Sequence, residues 1–201
     1  MVEYLSIEEP GRGEWKEKGS RFLSFAYPVE NEDEIKSRLH ELKLNFPNAT
    51  HHCYAWVLGT DGNHYRANDD GEPNHSAGTP ILRQIHSFQL SQILVVVVRF
   101  FGGTKLGVPG LIHAYGHATK LALEASNIIR KKLQSSATLR YTFQEEGLTY
   151  RIVKILDAQI IDTSYNPEPS MKIRFDLDKF GLLESINEQF PTIDITCNRD
   201  I

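Results

Sequence analysis

The sequence has little cysteine, no long apolar run and no excess of positive charge. Only two cysteines, Cys53 and Cys197, occur among 201 residues, which argues against a disulfide framework or a four-cysteine zinc site. The longest apolar run ends at Val98 and is far shorter than the stretch of about 18 residues that spans a membrane. No basic segment followed by an apolar one opens the sequence, so we expect no secretory signal and a cytoplasmic protein.

The charge differs between the two parts of the chain. Residues 1–134 contain 15 Lys and Arg against 15 Asp and Glu, whereas residues 135–201 contain 7 against 11. Proteins that bind duplex DNA usually carry a broad basic surface. This balance therefore argues against duplex DNA as a partner, while local contacts with RNA or with an acidic protein surface stay open.

The spacing of apolar residues predicts an α+β protein with two domains. For the first domain, residues 1–134, it predicts strands at 20–29, 52–59, 63–67 and 92–101, and helices at 31–46, 79–88 and 109–126. For the second domain, residues 137–201, it predicts strands at 137–144, 160–165, 171–177 and 192–197, and helices at 147–158 and 179–190. The second pattern is the β-α-β-β-α-β order of the ferredoxin-like fold. We expect a small polar linker at residues 134–136.

A glycine-rich turn between the apolar strand 92–101 and the following helix is the strongest candidate site. Unpaired N–H groups at a helix start attract a phosphate or carboxylate, and glycines allow close approach. The candidate binding residues here are Arg99, Gly102, Gly103, Lys105, Gly107 and Gly110. The Gly-Lys-Ser/Thr ending of a nucleotide P-loop is missing. Alternatively, the glycines only satisfy the backbone turn.

An acidic loop precedes this turn by about 25 residues, and we expect the two to face each other. Asp69, Asp70 and Glu72 are the candidate binding residues of the loop. Their oxygens would suit a hard cation such as magnesium. Acidic residues beside glycine and proline are also typical of solvated turns. We therefore assign no cofactor and keep magnesium as an alternative.

Histidine and cysteine give two weaker candidates. His113 and His117 share a helix face and could bind zinc, but a third ligand and the Glu of a His-Glu-x-x-His motif are missing. Cys53 follows His51 and His52, which suggests a Cys–His nucleophile. Adjacent strand residues point to opposite faces, and a small buried cysteine is the commoner outcome. We assign no catalytic residue, because no complete catalytic constellation is present.

Together these motifs resemble the YigZ/IMPACT family in order and spacing over roughly the first 130 residues. The matching segments are residues 18–22, Ala49 with His51 and Cys53, residues 69–73, residues 77–78 with 80–82, residues 95–107, residues 110–111 and residues 114–115. The resemblance implies a first domain similar to the second domain of ribosomal protein S5. It also implies a ferredoxin-like second domain similar to a domain of elongation factor G.

The same resemblance implies a role near translation. Eukaryotic IMPACT proteins compete with an activator of the kinase that phosphorylates an initiation factor, and bacterial relatives have been proposed to bind nucleic acid or ribosomes. Three positions depart from the family: His113 replaces a frequent arginine, and His75 and Pro109 replace frequent glycines. The missing arginine weakens a phosphate-binding interpretation, whereas Pro109 preorganises the helix start.

We therefore predict a non-enzymatic, translation-linked regulator that binds RNA, the ribosome or a translation-associated protein. The predicted binding face joins the acidic loop to the glycine-rich turn and includes His113. The alternative is a metal-assisted enzyme that acts on a small phosphorylated compound, with magnesium on the acidic residues and Lys105 stabilising phosphate charge.

Overall fold

The computed structural model describes residues 3–198, and the chain divides into two compact units. Tyr4–Lys131 forms the N-terminal unit, and the C-terminal unit begins at Lys132. The prediction of a linker at residues 134–136 is wrong, because these residues begin the strand Gln134–Arg140. Their small polar side chains suggested a break, but they pair with residues 174–176 of the neighbouring strand.

Seven strands and three helices belong to the N-terminal unit, except that the end residues Glu3 and Lys132 of the first and last of these strands fall in the other unit. In chain order they are β1 (Glu3–Ile7), β2 (Gly11–Glu17), β3 (Ser20–Pro28), α1 (Glu32–Asn45), β4 (His51–Leu58), β5 (His64–Asn68), α2 (Gly78–Ser87), β6 (Ile93–Phe100), α3 (Gly107–Glu124) and β7 (Ile128–Lys132). The main sheet is antiparallel, with the strand order β2-β3-β6-β4-β5. β1 and β7 form a separate two-stranded sheet.

β6 lies at the centre of the main sheet and explains the apolar run of the sequence. Val95 and Val97 belong to a core under α2 and α3, while Val96 and Val98 belong to a second core under α1. A strand covered on both faces needs apolar side chains at every position. Burial of each such side chain stabilises the fold by about 1.5–3 kcal/mol.

α1 begins where its capping sequence predicts. The Asn31 side chain accepts the backbone N–H of Glu34 at 2.9 Å, and the Glu34 carboxylate in turn accepts the N–H of Glu30. Ile35 and Leu42 face the core. The helix ends before Pro47, which cannot continue the hydrogen-bond ladder.

Three strands of this unit, β1, β2 and β7, are missing from the sequence prediction. β2 is an edge strand with two glycines between charged residues, a composition that disfavours strands. β1 and β7 are only five residues long and pair mainly with each other. Long-range pairing stabilises these segments, so local composition does not reveal them.

The C-terminal unit has the β-α-β-β-α-β order that the sequence predicts. Its elements are β8 (Gln134–Arg140), α4 (Glu146–Ile155), β9 (Gln159–Ser164), β10 (Ser170–Asp176), α5 (Phe180–Gln189) and β11 (Asp194–Asn198). The four strands form one antiparallel sheet in the order β11-β8-β10-β9. Apolar residues of α4 and α5 pack on one face of this sheet. Within residues 3–198 no helix is long and apolar enough to cross a membrane.

Candidate functional site

Asp69 holds the acidic loop against the start of α2. Its Oδ1 accepts the backbone N–H groups of Ala77 at 2.9 Å and Gly78 at 2.8 Å, and its Oδ2 accepts that of His75 at 2.8 Å. The N–H groups at a helix start have no partner within the helix. Asp69 supplies one from eight residues upstream, so its carboxylate has a structural role in the loop.

Asp70 ties the same loop to β4. Its Oδ2 accepts the backbone N–H of His52 at 2.6 Å, and its carbonyl oxygen lies 2.7 Å from Nδ1 of His51. The backbone of Asp70 has a φ of +42°, in the left-handed region that aspartate tolerates better than most residues. The carboxylates of Asp69 and Asp70 thus both accept hydrogen bonds from the backbone.

Glu72 and Arg99 form a buried ion pair. Arg99 Nη1 donates to Glu72 Oε1 at 2.5 Å, and the hydroxyl of Tyr115 on α3 donates to the same oxygen at 2.7 Å. Both charged side chains are buried. The acidic loop thus contacts β6, as expected. Arg99, however, is buried, whereas the sequence predicted it as a residue that binds a ligand.

The environment of Arg99 explains its burial. Its guanidinium lies 5.5 Å from the ring centroids of both Phe22 and Phe101, where cation–π attraction offsets part of its desolvation. Arg99 Nη2 lies 3.5 Å from the Ser20 hydroxyl, and no hydrogen bond reaches Arg99 Nε from the described part of the chain. The neighbouring valines of β6 give no sign that the arginine itself is buried.

Cys53 belongs to this interior, whereas the neighbouring His52 is buried on the opposite face of the sheet, toward α1. The Cys53 thiol lies 3.3 Å from the Tyr115 hydroxyl and 3.0 Å from the Asp69 carbonyl oxygen. Burial raises the pKa of Cys53 and of Tyr115 far above their ordinary values. Burial also lowers the pKa of His52, whose Nε2 has no partner among residues 3–198. Because the reactive form of cysteine is the thiolate, this environment disfavours a Cys–His nucleophile. We call Cys53, Glu72, Arg99 and Tyr115 the Glu72 cluster.

The glycines of the turn have backbone roles. A Cβ on Gly102 would lie 1.9 Å from the carbonyl carbon of Gly19, so only glycine fits where these two segments meet. Gly103 and Gly107 have φ values of +87° and +72°, in the left-handed region that glycine adopts without strain. Gly110 lies within the first turns of α3. These observations support the alternative that the glycines satisfy the turn.

An exposed apolar surface surrounds the start of α3. Phe101 is 48% exposed, Val108 45% and Ile112 37%, and Lys105 is exposed beside them in the sequence. Val108 and Ile112 are four residues apart on α3 and therefore lie on one side of the helix. We call these four residues the α3-start surface. The sequence interpretation missed its apolar members, although their spacing on the side opposite the buried residues could have revealed them.

His113 continues this surface toward β2. Its Nδ1 lies 3.3 Å from a carboxylate oxygen of Glu17, which also accepts the indole N–H of Trp15 at 3.2 Å. The rings of His113 and His117 are stacked, with centroids 5.7 Å apart, and Trp15 packs on His117. In the part of the chain that the structure describes, no three His, Cys, Asp or Glu side chains are arranged to hold a metal ion.

The other two family departures have simple backbone explanations. His75 has a φ of +62°, a conformation that glycine adopts more easily than other residues. Its side-chain Nδ1 lies 3.2 Å from the Thr79 hydroxyl. Pro109 is the third residue of α3, where the missing N–H costs no hydrogen bond within the helix.

The family model described as the Impact N-terminal domain matches residues 18–123, more than half of the chain. The chain belongs to the IMPACT family. This confirms the resemblance that the motifs indicated. The IMPACT family member YvyE of Bacillus subtilis is 38% identical over 130 residues, which are 65% of this chain and 60% of that protein. The IMPACT family member YigZ of Escherichia coli is 33% identical over 150 residues, 74% of each chain.

A solved structure supports the same architecture over the full length. The crystal structure of a hypothetical protein covers 100% of this chain and 100% of its own, with 26% sequence identity and a TM-score of 0.79. The sequence match to the Bacillus subtilis relative spans less than two thirds of that relative's length. The family is therefore shown by sequence and the mixed α and β architecture by structure.

Proposed function

We propose that this IMPACT family member is a non-enzymatic, translation-linked regulator that binds a ribosome-associated protein through the α3-start surface. Family membership supports the link to translation, because the resemblance of the motifs implies it for the IMPACT proteins. We further propose that it acts in the cytoplasm, where that partner would be found. The fold names that we propose are an S5-domain-2-like N-terminal unit and a ferredoxin-like C-terminal unit, similar to a domain of elongation factor G.

The exposed apolar side chains at the start of α3 carry this proposal. Large apolar side chains that lie together at a surface mark contact sites for other molecules more often than isolated ones do. Phe101 contributes an exposed aromatic ring, and Val108 and Ile112 contribute exposed aliphatic side chains, residue types found at the centre of protein–protein interfaces. Lys105 adds one positive charge, which suits an acidic group on the partner.

The charge of the N-terminal unit favours a protein over RNA at this surface. Binding to a phosphate backbone requires several basic side chains that neutralise it. On the neighbouring β2 and β3 strands, Arg21 forms a bidentate pair with Glu14, and Lys16 lies 3.4 Å from the same carboxylate. Lys105 is then one of few cations that could serve RNA here, and RNA becomes an outcome that the experiment must separate.

The interior of the unit supports a non-enzymatic role. Asp69 and Asp70 accept backbone N–H groups, and Glu72 is paired with Arg99. A metal-assisted enzyme would need these carboxylates to leave their present partners and to bind magnesium instead. A Glu72 that left would strand the buried charge of Arg99, which costs several kcal/mol, on the order of 3–5.

Site-specific photo-crosslinking tests the proposal. A photoreactive phenylalanine analogue in place of Val108 should crosslink to a ribosome-associated protein in cells. The matched control replaces Lys120, an exposed residue of the same helix that pairs with Glu124, and should give no such product. A nuclease-sensitive crosslink at Val108 would assign the surface to RNA, and equal products at both positions would reject a specific site.

A further inference from the structure

The C-terminal unit carries an exposed aromatic cluster that the proposed function does not use. Phe143 is 68% exposed, Tyr150 46% and Tyr165 51%. The rings of Phe143 and Tyr165 are stacked, with centroids 6.2 Å apart and planes only 3° from parallel. Such large rings are usually buried when they serve only to fill a core. Their exposure here calls for an explanation.

A carboxylate lies within this cluster. Tyr165 Oη donates a hydrogen bond to Oε1 of Glu146 at 3.0 Å. Glu146 is the first residue of α4 and is half-buried. No lysine, arginine or histidine among residues 3–198 forms an ion pair with it. By contrast, half-buried Glu17 and buried Glu72 each have a basic partner.

Tyr141 adds a buried and unpaired hydroxyl. Its ring is buried, and its Oη has no hydrogen-bond partner within the described residues. Burial, followed by the nearby charges of Glu146 and Tyr150, raises the pKa of Tyr141. The hydrogen bond to Glu146 raises the pKa of Tyr165, and Tyr141 and Tyr150 contribute to that rise. Tyr150 follows Glu146 by four residues on α4, so the two side chains lie on the same side of that helix.

We propose that Glu146 and the rings of Phe143, Tyr150 and Tyr165 form a binding site for an alkylammonium group. Aromatic faces attract cations through their quadrupole, and several rings together are the usual recognition element for substituted ammonium groups. Glu146 supplies the opposite charge beside these rings. The ammonium group belongs either to a lysine side chain of a protein or to a small free cation.

The charge of this part of the chain agrees with a cationic ligand. Residues 135–201 contain 11 acidic against 7 basic residues. The same excess of negative charge opposes nucleic acid, for which exposed aromatic rings would otherwise be suitable. The site belongs to the C-terminal unit and differs in chemistry from the α3-start surface of the N-terminal unit.

A titration of the full-length protein, followed by backbone amide NMR, tests the proposal. Choline, its neutral isostere 3,3-dimethyl-1-butanol and a short peptide with one trimethyllysine are the probes. The cations should shift the amide signals of residues 141–150 and 163–166 in a saturable manner, and the neutral isostere should bind about tenfold more weakly or not at all. Equal shifts with choline and the isostere would overturn the proposal, as would no shift with any cation.

Three variants connect the shifts to the site. Glu146→Gln and Tyr150→Ala should each weaken choline binding by about threefold to tenfold. Tyr65→Ala is the matched control, because Tyr65 is equally exposed in the N-terminal unit and should bind choline as the unmodified protein does. Circular dichroism separates lost binding from lost folding. If Glu146→Gln folds and binds unchanged, the site is not the one proposed.

The probes also separate the two sources of the ammonium group. Tighter binding of the trimethyllysine peptide than of choline would assign the site to a protein side chain. Tighter binding of choline would assign it to a small free cation. Both results support the alkylammonium site, and they depend in no way on whether the N-terminal unit binds a ribosome-associated protein.

Discussion

Glu72 and Glu146 each accept a hydrogen bond from a tyrosine hydroxyl, yet their surroundings are opposite. Glu72 is buried and pairs with Arg99 in addition to Tyr115. Glu146 lies among exposed rings and has Tyr165 as its hydrogen-bond donor without a basic partner in the described chain. The same carboxylate–tyrosine contact is thus part of the buried core in the N-terminal unit and part of the exposed surface in the C-terminal unit.

The difference teaches that a basic side chain beside the glutamate determines the role of the tyrosine–glutamate contact. With such a side chain the contact is structural, and without it the carboxylate can accept a ligand. A buried carboxylate needs a paired charge, because its desolvation is otherwise too costly. In the N-terminal unit the protein supplies that charge through Arg99. In the C-terminal unit the half-exposed Glu146 tolerates its absence, and we have proposed that an external ammonium group takes this place.

Removal of Arg99 should destabilise the N-terminal unit, because Glu72 then loses its paired charge. Arg99→Met leaves Glu72 buried without its partner and should lower the free energy of unfolding by about 3–5 kcal/mol. Both tryptophans, Trp15 and Trp56, lie in the N-terminal unit, so their fluorescence in urea reports on that unit. Lys36→Met breaks an exposed ion pair with Asp33 and should change the free energy of unfolding far less than Arg99→Met does.

A double variant sharpens the same test. Glu72→Leu combined with Arg99→Met replaces both charges by apolar side chains, which in buried ion pairs is often neutral. The double variant should recover at least half of the stability that Arg99→Met loses. A double variant less stable than Arg99→Met would contradict the claim that the stranded charge causes the loss.

Added methyl groups should affect the two units in opposite directions. Gly102→Ala forces a contact with Gly19 at the glycine-rich turn and should destabilise the N-terminal unit by about 1–3 kcal/mol. Gly147→Ala meets nothing within 4 Å on α4 and should stabilise that helix by about 0.5–1 kcal/mol. Urea unfolding followed by fluorescence measures the first and thermal circular dichroism the second. A neutral Gly102→Ala would refute the close contact of the two segments.

Mild acid should weaken only the N-terminal unit. All eight histidines lie in residues 40–117, and burial lowers the pKa of His52 below its ordinary value. The folded state therefore binds this proton less readily than the unfolded state. The contribution of neutral His52 to the free energy of unfolding is complete above a pH of about 6.5, the ordinary pKa of histidine. It is lost as the pH falls through the lower pKa of the folded state.

The free energy of unfolding in urea, followed by tryptophan fluorescence, checks this expectation. It is measured from neutral pH down to the pH at which carboxylates begin to titrate. His52→Leu should flatten this dependence of stability on pH, and His40→Leu, at an exposed position, is the control variant. A dependence that His52→Leu leaves unchanged would show that another group governs it.

Loss of the Tyr165 hydroxyl should have the smallest effect. Tyr165→Phe keeps the stacked ring but removes the hydrogen bond to Glu146. Because the bond lies at the surface, we expect only a small change in thermal stability. Tyr115→Phe removes the corresponding bond to buried Glu72 and should cost more. Equal costs would remove the distinction between the two carboxylates.

Local sequence signals predicted those parts of the fold that depend on neighbouring residues. The apolar run of β6, the Asn31 cap of α1 and the buried stripe of α3 each follow from propensity and spacing alone. The burial of Arg99 does not, because its partner Glu72 lies 27 residues away. The stack of Phe143 on Tyr165 likewise joins two residues that are far apart in the sequence. Tertiary contacts of this kind leave no periodic pattern in the sequence.

Co-sedimentation with ribosomal particles from the cell of origin tests the central functional claim most directly. The account predicts that the tagged protein migrates with a ribosomal subunit at low and moderate salt. RNase treatment should release little of the protein, because the predicted contact is with a protein. The double variant Val108→Asp with Ile112→Asp should no longer migrate with the subunit. The variant pair lies on the exposed side of α3 and should leave stability within about 0.5 kcal/mol of the unmodified protein. Migration of the unmodified protein only as a free species, or co-migration that the variant pair does not alter, would contradict the account.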